Sequence, residues 1–126
     1  MTTILLVEDD AFQASVRMSV LQKRFPDVQR VADAAEALCL IEQRAFSDDL
    51  GLVIASNHLP GLGAPEFVAE LHARIPRLPV LVLGNAQDAT ESYEGQNVRF
   101  LAKPAPAEEL VATARQMLAE EGHKVA

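Results

Sequence analysis

Five short apolar runs punctuate the chain, at residues 4–7, 28–32, 50–55, 79–83 and 98–102. Three of them (ILLV, LGLVIA and PVLVL) are almost continuously apolar. A strand reads that way when both of its faces are covered, as in a parallel sheet. VQRVA and VRFLA mix polar with apolar positions and are expected at the edges or ends of that sheet.

Between the runs the apolar spacing changes to threes and fours, the period of a helix. Asp10 can cap a helix carrying Phe12, Val16, Val20 and Leu21, and Asp33 can cap one carrying Ala37, Leu38 and Ile41 that fades near Phe46. Phe67, Val68 and Leu71 define a third helix, which stops before Pro76. Pro106 falls near the first turn of the last, followed by Leu110, Val111, Ala114, Met117 and Leu118. Residues 85–96, NAQDATESYEGQ, hold one large apolar side chain, Tyr93, and read as a short, poorly anchored fourth helix. Cys39, within the second helix, reads as a small packing residue.

Strand and helix thus alternate five times, which argues for an α/β fold with a parallel sheet and helices on both faces. Function in such sheets gathers at the carboxyl ends of the strands. Those ends carry Glu8, Asp9 and Asp10, then Ser56, Asn57 and His58, then Gly84 and Asn85, and last Lys103 and Pro104. Pro60-Gly61 reads as a turn, and Gly63 allows a further sharp bend.

Composition narrows the options. The 126 residues amount to one domain, with 49% hydrophobic and 23% charged residues. One cysteine excludes an internal disulfide framework and a multi-cysteine zinc site. The net charge of -7 and the scattered lysines and arginines argue against nucleic-acid binding. No apolar run is long enough to span a bilayer, and the start lacks the basic region of a signal peptide, so a cytoplasmic domain with no membrane partner is the expectation.

At the strand ends, adjacent carboxylates repel one another, so a cation is the natural partner of Glu8 and Asp9, and magnesium suits one or two carboxylates. The plainer alternative is that these acids only cap the following helix. Lys103 could hold a phosphoryl oxygen as a compact charge, or could be an ordinary solvated lysine. His72 and His123 lack ligand partners at metal-like spacing.

ILLVEDD (4–10), LVIASNHLPG (52–61), PVLVLGNA (79–86), FLAKP (100–104) and PAEEL (106–110), in this order and spacing, resemble the receiver domain of bacterial two-component response regulators. The resemblance covers essentially the whole chain, residues 1–126, as one receiver-like domain without an output domain. It implies a flavodoxin-like (βα)5 fold, a doubly wound parallel sheet of strand order 2-1-3-4-5. It also implies roles. Glu8 and Asp9 fall on the acidic pair that holds magnesium, with the backbone carbonyl of His58 as a further ligand. Lys103 falls on the lysine that contacts the phosphoryl group, Pro104 on the residue usually joined to it by a cis bond, and Phe100 on the aromatic switch position.

Two positions depart from the pattern. The family's phosphoacceptor aspartate stands four residues before the proline, where this chain has Ser56. The family's switch hydroxyl at the end of the fourth strand is replaced by Gly84. The spacing from Gly84 to Lys103 is also short, at the expense of the fourth helix, and the segment 44–51 before the third strand is correspondingly long. A serine is a poor nucleophile without an adjacent base, and His58, two residues on, is the nearest in sequence.

The expectation is therefore a pseudo-receiver: a non-enzymatic interaction module of phosphorelay signalling, without aspartyl phosphorylation. It would require no cofactor and bind magnesium weakly at most. Its partner would be a histidine kinase, a phosphotransfer protein or an output domain, and the resemblance leaves a homodimer open. The alternative is a functional phosphotransfer receiver with an unconventional acceptor, for which Asp9 or Asp10 lies at the correct end. Asp48 and Asp49 are expected at the opposite end, and Asp88 on the weak fourth helix. A small hydrolase using Ser56 and His58 is a third reading, but no G-x-S-x-G elbow surrounds Ser56.

Overall fold

The computed structural model describes residues 2–85 and 97–125, with side chains in the last helix described as far as Glu120. The expected strands form: β1 (Thr3–Val7), β2 (Val28–Val31), β3 (Leu50–Ser56), β4 (Val80–Gly84) and β5 (Val98–Ala102). All pair in parallel, in the order β2-β1-β3-β4-β5. The continuously apolar runs occupy the centre, where strands are covered on both faces, and the two mixed runs are the edges.

The described helices are α1 (Ala11–Gln22), α2 (Ala34–Ile41), α3 (Arg44–Ser47), α4 (Ala64–Arg74) and α5 (Ala107–Val125). Both expected caps are made. Asp10 accepts from the Gln13 N–H at 2.9 Å and Asp33 from the Glu36 N–H at 2.8 Å. The single turn α3 absorbs the extra length before the third strand. The expected weak helix at 85–96 lies, beyond Asn85, outside the described residues.

Strand alternation sorts the core into two layers. Leu5, Val7, Val53, Ala55, Val80 and Val82 face α2 and α4, where Ala37, Ile41, Phe67 and Leu71 cover them. Ile4, Leu6, Leu52, Ile54, Leu81 and Leu83 face α1 and α5, covered by Leu21, Leu110, Ala114 and Met117. One register shift interrupts the β1–β3 ladder, at Gly51. A Cβ there would come within 2.4 Å of Thr2 Cγ2, so only glycine fits without movement.

Three expectations need correction. Phe12 and Val16 are not core residues: they are 73% and 46% exposed, and α1 instead buries Ala14 and Leu21. Asp10, as the cap, sets the helix phase, and positions 14, 17, 18 and 21 turn inward. Cys39 is exposed rather than packed. Gly63 takes φ -65° and ψ 157°, open to any residue, whereas Gly61 does use its freedom, at φ 85° after Pro60.

Candidate functional site

The carboxyl ends of β1, β3, β4 and β5 converge through main-chain bonds. The Asn57 N–H donates to the Leu83 carbonyl at 2.7 Å, and the Lys103 N–H donates to the Gly84 carbonyl at 2.7 Å. Leu6 pairs with Ile54 and Val7 with Ala55, a register that continues to set Glu8 beside Ser56. By strand alternation Glu8, Ser56 and Lys103 all fall on the α1/α5 side of the sheet. Phe100 packs against the core layer on the opposite side. The Lys103-Pro104 peptide bond is cis.

Ser56 is the last residue of β3 and is only 4% exposed. His58 is exposed, so the two residues that a serine nucleophile would need stand in different environments. Gly84 closes β4 buried, with no side-chain hydroxyl to offer. Asp48 and Asp49 precede β3, and the Asp49 carbonyl accepts from the Thr3 N–H at 2.7 Å, at the far end of the sheet. Asp88 lies outside the described residues. The His72 ring Nε2 donates to the Leu78 carbonyl at 2.7 Å, a structural contact. The His123 side chain is outside the described set.

Glu8 is buried, at 3% exposure, although it is charged. Its burial is compensated on every oxygen. The Arg17 guanidinium, from α1, donates to Oε1 and forms an ion pair with it. The Asp10 N–H donates to Oε2 at 3.1 Å. The Glu8 main-chain carbonyl accepts from Arg30 on β2, from Nε at 3.1 Å and from Nη2 at 2.7 Å. The sequence reading missed both arginines. Arg17 falls in phase with Ala14 and Leu21, but that phase became visible only once the structure showed those two residues buried. Arg30 was legible only as a polar position on an edge strand.

The expected site residues line separate depressions. Arg17 and Lys103 share a cleft of about 230 Å³ with Gln13, Val16 and Leu83. Asp9 opens instead toward Asp33, Pro60 and Leu62. His58 lines a third hollow, with Pro60 and Glu66. Magnesium wants oxygen ligands in a near-octahedral shell. The donor set does not fit that need: both Glu8 carboxylate oxygens are engaged, Ser56 supplies no carboxylate and Asp9 lines a different hollow. Among the described residues, no three His, Cys, Asp or Glu side chains group as ligands.

Comparison with known proteins agrees with the fold. Residues 4–115 match the model of the response regulator receiver domain, and the chain belongs to that family. It is 26% identical over 93% of its length to the C4-dicarboxylate transport transcriptional regulatory protein DctD of Pseudomonas aeruginosa, covering 25% of that protein. It is 29% identical over 92% of its length to the sensor kinase CckA of Brucella abortus, covering 12% of it. The chain thus spans a quarter or less of these curated relatives. Among solved structures, a response regulator receiver domain protein from Clostridium thermocellum superposes with a TM-score of 0.86 at 18% identity, over 97% of this chain and 98% of the other. The signal receiver domain of an HD domain-containing protein from Pseudomonas fluorescens superposes with a TM-score of 0.83 at 28% identity, over 98% of this chain and 90% of the other. No helix among the described residues is long and apolar enough to cross a membrane.

Proposed function

We propose that this receiver domain is a pseudo-receiver, acting in two-component signalling through protein–protein contact and not through aspartyl phosphorylation. The observation that carries the reading is Ser56, buried at the last position of β3, where the family pattern calls for the acceptor aspartate. In a phosphorylated receiver a carboxylate attacks phosphorus, and cations offset the charge on the transferring group. A buried, un-ionised hydroxyl does not replace that carboxylate. Gly84 gives the phosphoryl group no hydroxyl to draw inward.

On this reading the domain is not an enzyme and requires no cofactor. It works in the cytoplasm, docked on a signalling protein: a histidine kinase, a phosphotransfer protein or an output domain. The names of its relatives, transcriptional regulators and a sensor kinase, fit that range of partners.

Incubation with acetyl phosphate and magnesium, followed by intact mass measurement, tests the reading. The mass is expected to stay unchanged. A hydroxylamine-labile phosphoryl adduct at high occupancy would overturn it and place the acceptor on another carboxylate, with Asp9 first to examine.

A further inference from the structure

We propose that the Arg17 guanidinium is a built-in counter-cation, holding the Glu8 carboxylate where a receiver would use a divalent ion. The inference extends the reading above, and rests on it only in taking Ser56 as the acceptor position.

Glu8 is a buried acid next to other acids, and a buried carboxylate is costly without a positive partner. The domain supplies one internally. Arg17 lies on the inward side of α1, its side chain 12% exposed, and pairs with a Glu8 side chain that is 4% exposed. Arg30 secures the main-chain carbonyl of the same residue. Arg17 and Arg30 therefore both hold Glu8, and Lys103 lines the same cleft as Arg17. The loss of a carboxylate at Ser56 and the presence of Arg17 shift the local charge in the same direction. A divalent ion entering this space would have to displace a fixed guanidinium and then sit near it. Lys103 brings a further positive charge to the cleft that Arg17 lines.

A further consequence is a fixed link between α1 and the end of β1. In a metal-dependent site that link would come and go with the ion. Here the cation is a side chain of the domain itself, so the link is made without magnesium.

Thermal and urea unfolding of the full chain, in EDTA and in magnesium chloride, tests the proposal, with calorimetric magnesium titration alongside. The parent is expected to unfold identically in both buffers. Arg17→Met keeps the apolar stem and removes the charge. Its folding equilibrium in EDTA should fall by about tenfold or more, and about 10 mM magnesium should recover a substantial part of that loss. In Arg17→Met combined with Glu8→Gln, the magnesium response should vanish, because no buried carboxylate is left bare. Parent protein that binds magnesium at tens of micromolar, by order of magnitude, overturns the proposal. So does a folded Arg17→Met variant that is indifferent to magnesium. If Arg17→Met folds in neither buffer, Arg17→Lys decides: a looser grip on Glu8 should give measurably tighter magnesium binding than the parent, and equal binding overturns the idea. No phosphodonor enters these titrations, so phosphoryl uptake by the parent would defeat the pseudo-receiver reading while leaving this outcome to be read separately.

Discussion

The Arg17 guanidinium on α1 closes on the buried Glu8 carboxylate at the end of β1, joining helix to strand end through two residues nine apart in sequence. The pair stands at the most chemically loaded point of the fold, where the strand ends meet. Burial of an unpaired carboxylate is costly, so Glu8 can be tolerated only with a partner and with its remaining lone pairs satisfied. Arg17 and the Asp10 N–H meet both conditions.

Breaking the pair from the acidic side should be expensive. Glu8→Ala leaves the Arg17 side chain mostly buried without its counter-charge. We expect a loss of about 3 kcal/mol, the lower end for a broken buried pair, because the long arginine can partly swing toward solvent. Glu8→Gln keeps the side chain's shape and one acceptor oxygen, and should lose less. Urea unfolding of the two variants checks the order.

The exposed face of α1 should behave in the opposite way. Phe12 and Val16 are open to solvent, so Phe12→Ser and Val16→Ser should each change stability by no more than about 0.5 kcal/mol. Leu21→Ala, on the buried face of the same helix, should cost about 2–5 kcal/mol. If the Phe12 variant lost as much as the Leu21 variant, the phase assigned to α1 would be wrong.

That helix also marks where the sequence stopped being legible. The strands were readable because burial on both faces forces continuous apolar runs, and Leu5, Val53 and Val82 have no polar alternative. Caps were readable because Asp10 and Asp33 each stand one residue before a helical pattern. The inward face of α1 was not, since its apolar set is small: Ala14 is a weak signal and Arg17 breaks the stripe altogether. An arginine on a helix reads as solvated until its partner is known, and Glu8 became a partner only when the sheet fixed its direction. Ser56, Gly84, Lys103 and Pro104 were located because they sit at strand ends, whose positions follow directly from the strands. The separation of Asp9, His58 and Lys103 into different hollows depends on side-chain direction and was not readable from order along the chain.

The caps offer a test that touches no functional residue other than the acidic turn. Asp33→Ala removes the acceptor for the Glu36 N–H and should cost about 1 kcal/mol. Asp10→Ala removes the acceptor for the Gln13 N–H and should cost a similar amount, with an added loss if α1 shifts and loosens Arg17 from Glu8. Melting curves for both variants, with and without Glu8→Gln, separate the two contributions: the excess loss for Asp10→Ala should disappear in the Glu8→Gln background.

Rebuilding the phosphorylation site should require two changes. Ser56→Asp restores a carboxylate at the end of β3, beside Glu8 and on the same side of the sheet as Lys103. In the presence of Arg17, however, the new carboxylate gains a ready partner, and a divalent ion still meets a fixed guanidinium. The single variant should therefore bind magnesium poorly and take up little phosphoryl group from acetyl phosphate. Combining Ser56→Asp with Arg17→Met leaves two neighbouring carboxylates without a cation between them. Their repulsion should lower stability in EDTA, and magnesium should restore it by mass action. Phosphoryl uptake should then become detectable by intact mass, with Lys103 placed to offset charge on the transferred group. Gly84→Thr, added to this pair, supplies the missing hydroxyl and should lengthen the lifetime of the adduct. If Ser56→Asp alone binds magnesium and is phosphorylated as well as the double variant, Arg17 yields its place freely and is an ordinary ion pair.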